Sequence, residues 1–149
     1  MLGGPKTTTA TMISSMGYRD ANAAVEWLSR AFGFEEHAVY RNGDGAVVHA
    51  ELVFGNGMIM FGPRDSQGEG EFGKRFMTMP DKTGGRCTQA VYVIVDDADA
   101  HHARAKAAGA EIVTPLKDES YGGRGYSARD PEGHLWSFGT YDPWTRADP

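Results

Sequence analysis

Tyr121-Gly-Gly-Arg-Gly-Tyr-Ser-Ala-Arg-Asp130-Pro-Glu-Gly-His-Leu-Trp-Ser-Phe-Gly-Thr-Tyr141 decides how the chain is read. It spells a strand, a tight turn at Asp130-Pro131-Glu132-Gly133, and a second strand. Pro131 presets a φ that suits the turn, and Gly133 accepts a positive φ. Leu135, Trp136, Phe138 and Tyr141 are residues that pleated strands favour. A terminal hairpin closing a sheet is expected. Side chains alternate along a strand, so Ser137 shares a face with Leu135 and Gly139, and Trp136 and Phe138 point the other way. Trp136 is expected to pack in the core under a helix; an aromatic stacking platform is its alternative.

Working outward, residues 88–95 read as a buried strand. Asp96 or Asp97 caps a helix that runs to 108 and stops at Gly109, and 111–117 form the next strand. The same order occurs earlier. A strand over 9–18 precedes Asp20, and Asp20 caps a helix whose apolar stripe is Ala24, Val25, Leu28, Ala31 and Phe32, stopped by Gly33. Strands over 34–41 and 47–54 flank Asn42-Gly43-Asp44-Gly45, a strong hairpin signal, and 58–61 make a short strand after Gly57. Residues repeat too: Asp20-Ala-Asn-Ala and Asp97-Ala-Asp-Ala lie 77 positions apart, and Gly57 and Gly133 lie 76 apart. A shared offset across several weak matches indicates a duplicated βαβββ module.

The expected class is therefore α+β: two βαβββ modules forming a curved mixed sheet around a cleft, with helices outside. The expected divisions are a disordered N-terminus at 1–8, a first module at 9–63, a linker at 64–87, a second module at 88–142 and a tail at 143–149. The linker holds five glycines between positions 68 and 85, with Phe72, Phe76, Met77 and Met79 as anchors. It reads either as a solvated connection or as an arm over a cleft.

Composition excludes several classes. A net charge of −5 over 149 residues argues against a nucleic-acid surface. No apolar run is long enough for a membrane span. The first residues lack the apolar core of a signal peptide. Cys87 is alone, which fits a reduced, cytoplasmic setting.

The paired module order, the Asp-Ala-x-Ala helix starts, the Ala-x-Gly-Ala-Glu turn and Asp130-Pro131-Glu132-Gly133-His134 resemble the vicinal oxygen chelate superfamily. That superfamily includes glyoxalases, extradiol dioxygenases, methylmalonyl-CoA epimerase, and fosfomycin and bleomycin resistance proteins. The resemblance spans about 9–141 and implies the fold more than any one chemistry. It also implies a divalent metal held by His, Gln or Glu on the first and last strands of each module, polarising a substrate or activating water. Carried onto this chain, those positions fall near Ile13, near Ala90 with Gln89 and Thr88 beside it, near Ile59, and at Ser137. None supplies a His or a carboxylate. No cofactor is therefore expected, and a divalent metal is the runner-up.

Candidate cleft residues are Ser15, His49, Glu51, Ile59, Phe61, Tyr92, Tyr121, Arg124 and Ser137. His49 and Glu51 lie two apart on one strand face and make a candidate acid–base pair, because a neighbouring carboxylate sets an imidazole's charge and orientation. Arg124, after two glycines, is a candidate anion holder, and Tyr126 a further candidate. His101 and His102 are expected to face solvent, His37 to be structural, and His134 to serve the turn.

Three functions stay open. One is a metal-free protein of the drug-resistance kind that binds a drug or metabolite. Another is an enzyme, lactoylglutathione lyase-like, an epimerase, isomerase or dioxygenase, with displaced metal ligands or a metal-free His49–Glu51 site. The third is a non-catalytic partner module. A homodimer is expected, with a small molecule as the partner.

Overall fold

The computed structural model describes residues 8–66 and 68–145. The expectations for 1–7 and 146–149 lie outside these residues. The chain divides into two compact units, residues 1–79 and 80–149.

In the first unit, β1 (Ser14–Tyr18), α1 (Ala21–Phe32), β2 (Glu35–Arg41), β3 (Val47–Phe54) and β4 (Gly57–Pro63) form a βαβββ module. In the second, β5 (Val91–Ile94), α3 (Ala98–Ala107), β6 (Glu111–Asp118), β7 (Arg124–Arg129) and β8 (Leu135–Gly139) repeat it. Each module makes its own four-stranded sheet, ordered β1-β4-β3-β2 and β5-β8-β7-β6. In each, the first strand pairs parallel to the last, and the other pairings are antiparallel. The fold is α+β, as the repeat implies. No described helix is long and apolar enough to cross a membrane.

The repeated residues do the same physical work twice. The Asp20 carboxylate accepts from the Ala23 amide at 2.9 Å, and Asp97 accepts from Ala100 at 3.0 Å. Each supplies an acceptor to a donor that the helix cannot satisfy itself. Gly33 and Gly109 follow the helices with φ of 86° and 93°.

The first core lies between α1 and one face of its sheet. Leu28, Phe32, Ala50, Leu52, Ile59 and Phe61 are buried there, and Tyr18 meets Phe61 edge-on at 4.8 Å. The second core is mainly aromatic. Trp136 and Phe138 stack at 6.2 Å and 7°, and Phe138 and Tyr126 at 5.4 Å and 26°. Trp136 is fully buried, so it is a core residue and not a platform.

Asp130 organises the terminal hairpin. It is buried, and its Oδ1 accepts from the Glu132 and His134 amides at 3.0 and 3.1 Å. Its Oδ2 accepts from the Trp136 indole at 3.1 Å. One carboxylate thus shapes the turn and ties it to the core.

Three expectations change. The strand expected over 9–18 begins at Ser14, because pairing with β4 covers only Ser14↔Ile59 to Tyr18↔Pro63. The strand expected over 88–95 is only Val91–Ile94 and alternates half-buried with exposed, as an edge strand does. The presumed linker carries structure: a short helix α2 (Glu71–Phe76) and a 3₁₀ turn (Pro80–Thr83). Arg64 and Glu69 are buried in that segment. Arg64 donates to the Met16 and Pro63 carbonyls at 3.4 and 3.3 Å, and among the described residues its Nε has no hydrogen-bond partner.

Candidate functional site: the open faces of the two sheets

One face of each sheet packs on its helix, and the other carries the polar side chains. The open-face row of the first module is Ser15, Met60, Glu51 and Ala38, side by side in register. The matching row of the second is Tyr92, Ser137, Ser127 and Thr114.

This register corrects two candidates. Ile59 and Phe61 are buried against the first core and do not reach the open face. Met58 and Met60 take that face, because side chains alternate and Met60 is the residue level with Ser15 and Glu51. The first-module counterpart of Ser137 is therefore Met60.

His49 and Glu51 do meet. Nε2 lies 3.0 Å from Glu51 Oε2, with the side chains 39% and 27% exposed, and the Tyr40 ring is 5.9 Å from the imidazole. The pair is half-solvated.

The second module gathers more of the candidates. Tyr92, Tyr121, Ser137 and Arg124 line one concavity of about 220 Å³, with Glu119, Ser127, Tyr141 and glycines 122, 125 and 139. The Tyr92 hydroxyl donates to the Tyr141 carbonyl at 2.7 Å, and Tyr121 meets Tyr141 edge-on at 5.1 Å. Ser127 and Ser137 share a hydrogen bond of 2.7 Å. Gly139 leaves room for the Tyr92 ring: a Cβ there would lie 2.8 Å from the Tyr92 hydroxyl, so any larger residue would push that ring away. Burial above all, then the charges of Tyr121, Asp142, Tyr141 and Glu119, raise the Tyr92 phenol above its ordinary value.

Arg124 is not a free anion holder. Its guanidinium donates to Asp99 at 3.2 Å and Asp118 at 3.3 Å. The hydrogen bond to Asp99, more than the bond to Asp118, raises its pKa further. Nor do both histidines of α3 face solvent. His101 is half-buried, its Nδ1 lies 2.6 Å from the Tyr126 hydroxyl, and its ring lies 4.3 Å from Phe138. His102 meets Tyr126 edge-on at 4.9 Å. The alanines buried at 98 and 105 are too small to fill the space under α3, so His101 fills it. The pattern of α3 held no apolar stripe to signal this. His37 sits exposed on an outer strand, and the His134 amide serves the turn.

Residues 12–138 match the family model described as the Glyoxalase/Bleomycin resistance protein/Dioxygenase superfamily. The chain belongs to this superfamily. An uncharacterized protein of Mycobacterium bovis, Mb0911c, is 34% identical over 120 residues, covering 80% of this chain and 76% of that protein. TioX from Micromonospora sp. ML1 is 34% identical with a TM-score of 0.65, covering 86% of this chain and 95% of TioX. The fosfomycin resistance protein FosX of Listeria monocytogenes, solved with Mn(II) and sulfate, shares the fold at 18% identity and a TM-score of 0.63, covering 96% and 94%.

A divalent metal is what this superfamily implies, and the open-face positions on the first and last strands of each module do not fit one. Ser15, Met60, Tyr92 and Ser137 offer hydroxyls, a thioether and a phenol, whereas such ions favour carboxylates and imidazoles. The Ser137 hydroxyl is bound to Ser127 and the Tyr92 hydroxyl to Tyr141. Ile13, Gln89 and Ala90 lie outside the strands. Among the described residues no group of three or more His, Cys, Asp or Glu gathers in metal-holding geometry.

Proposed function

We propose that this protein binds a small organic molecule without a metal ion, in the concavity of its second module. The observation that carries this is the concavity of about 220 Å³ walled by Tyr92, Tyr121 and Tyr141 and holding the Ser127–Ser137 hydroxyls. Apolar walls with a few placed polar groups are the usual make-up of a ligand site. Sites for drug-sized molecules run from about 300 Å³ upward, so this one suits a small metabolite or one group of a larger molecule. Kinship with a superfamily named partly for bleomycin resistance supports a binding role. The test is a thermal-shift and calorimetric screen with apolar, aromatic and amphipathic compounds, with and without chelator. A ligand at about 100 times its Kd stabilises by about 2.7 kcal/mol. Binding indifferent to chelator is expected. No stabilisation by any compound, or binding that chelator removes and a divalent ion restores, would overturn the reading.

The His49–Glu51 contact of 3.0 Å favours a second reading, an acid–base enzyme on the open face of the first module. Lactoylglutathione formation or epimerisation that disappears in His49→Gln and Glu51→Gln variants would support it. Equal rates in the parent and both variants would dismiss it.

The same proposal has the chain pairing with a second copy through the segment after β4. There Phe72 and Phe76, 69% and 64% exposed, lie together at 5.3 Å. Light scattering that shows a monomer at micromolar concentration would refute the pairing.

A further inference from the structure

We propose that the second-module concavity takes an organic ammonium group, held between tyrosine rings and the Glu119 carboxylate. The inference rests on the small-molecule reading of this concavity and adds the chemistry of the group that enters it.

The rings come first. Tyr121 and Tyr141 meet at 87°, so they stand as two adjacent walls, and Tyr92 supplies a third. The Tyr92 ring is pinned by its hydroxyl's 2.7 Å bond to the Tyr141 carbonyl, so little order has to be gained on binding. Aromatic faces carry negative charge density, and a cation within about 6 Å of a ring centre is drawn to it. A neutral alkyl group gains burial alone, and an anion is repelled by the ring faces.

The carboxylates come second. Glu119 lines the concavity, and Asp142 follows Tyr141 directly. Among the described residues neither carboxylate makes an ion pair. Both act on Tyr92, where negative charge nearby opposes a phenolate. Burial is the largest cause of the rise at Tyr92, and Asp142 and Glu119 are the carboxylates that add to it. A potential that opposes a phenolate favours an ammonium ion.

Opposing charge is already offset. Arg124 is the only cation among the lining residues, and its guanidinium is engaged by Asp99 and Asp118 at 3.2 and 3.3 Å. A volume of about 220 Å³ admits a trimethylammonium head with a short body.

The test is an amide NMR titration of the full chain with choline and with 3,3-dimethylbutan-1-ol, in which carbon replaces the quaternary nitrogen. Neutral aromatic alcohols form a third arm. Choline is expected to shift amides in 119–126 and 137–142 and to bind about tenfold tighter than its neutral counterpart. Glu119→Gln is expected to weaken choline about threefold without touching the alcohol, and added salt to act likewise. Tyr121 is 60% exposed, so Tyr121→Ala leaves the core intact and is expected to abolish the preference, while Tyr121→Phe keeps it. Dispersion of the spectra verifies folding. If the neutral alcohol shifts the same amides as strongly as choline, the ammonium assignment falls and the binding site stands. Failure of choline to shift them also overturns the assignment, and failure of the neutral arms as well removes the site reading beneath it.

Discussion

Replacing Asp130 tests whether one buried carboxylate joins the terminal turn to the second core. Asp130 accepts hydrogen bonds from the Glu132 and His134 amides and from the Trp136 indole. Glu132 and His134 are half-buried, so water recovers part of what their amides lose, and each costs about 0.5–1.5 kcal/mol. Trp136 is fully buried, so its N–H loses this acceptor with no water to replace it, at about 1–3 kcal/mol. Asp130→Ala is therefore expected to cost about 2–6 kcal/mol. Asp130→Asn keeps one acceptor oxygen and turns an amide donor toward either the turn or the indole, so about 1–3 kcal/mol is expected. Trp136→Phe removes the indole donor. In that background Asp130→Asn is expected to cost about 1–2 kcal/mol less than in the parent, a coupling that a double-mutant cycle isolates. The assay is urea unfolding followed by far-UV circular dichroism, which does not depend on the missing tryptophan. Costs that add within about 0.5 kcal/mol, or an Asp130→Ala loss below about 1 kcal/mol, would refute the linkage.

Three further outcomes follow from the same geometry. Asp20→Ala and Asp97→Ala should each cost about 1 kcal/mol by denaturant unfolding, because the two caps are equivalent; a neutral result at either would break the repeat at that point. Gly17→Ala places a Cβ against the Arg64 side chain, which is buried and has little room to move; a loss of about 1–3 kcal/mol is expected, and an unchanged midpoint would contradict the contact. Burial raises the Tyr126 phenol well above its ordinary value, so folding favours the neutral form. Stability from this group is complete below the unfolded pKa of about 10 and is lost as pH rises from there toward the folded value, so Tyr126→Phe should flatten the alkaline fall in stability. An identical fall in parent and variant would count against it.

Much of the fold could be read from single residues because those residues act locally. Asp20, Asp97, Gly33 and Gly109 mark helix ends whatever surrounds them, and Asn42 accepts from the Asp44 and Ala46 amides as the hairpin signal implies. Alternation along β3 places His49 and Glu51 on one face, but a bulge beside Tyr40 and Arg41 buries Val47 and exposes Val48, the reverse of what strict alternation implies. In β4 both faces are apolar, so nothing in Met58-Ile59-Met60-Phe61 says which pair is buried; pairing with β1 and β3 decides it. His101 was invisible for a related reason. A helix lined with alanine announces no core face, and the space left beside Tyr126 and Phe138 is a tertiary property. Arg124 looked available because Asp99 and Asp118 lie on other elements, reached only once β7 pairs with β6 and α3 packs.

The most direct test of metal-free binding in the second module is calorimetry on chain stripped by chelator, with metal content measured by mass spectrometry before and after. The expected result is a ligand whose affinity is unchanged by stripping, whose binding shifts the amides of Tyr92, Tyr121 and Tyr141, and less than a tenth of an ion per chain in either sample. A stoichiometric divalent ion whose removal abolishes binding would contradict it.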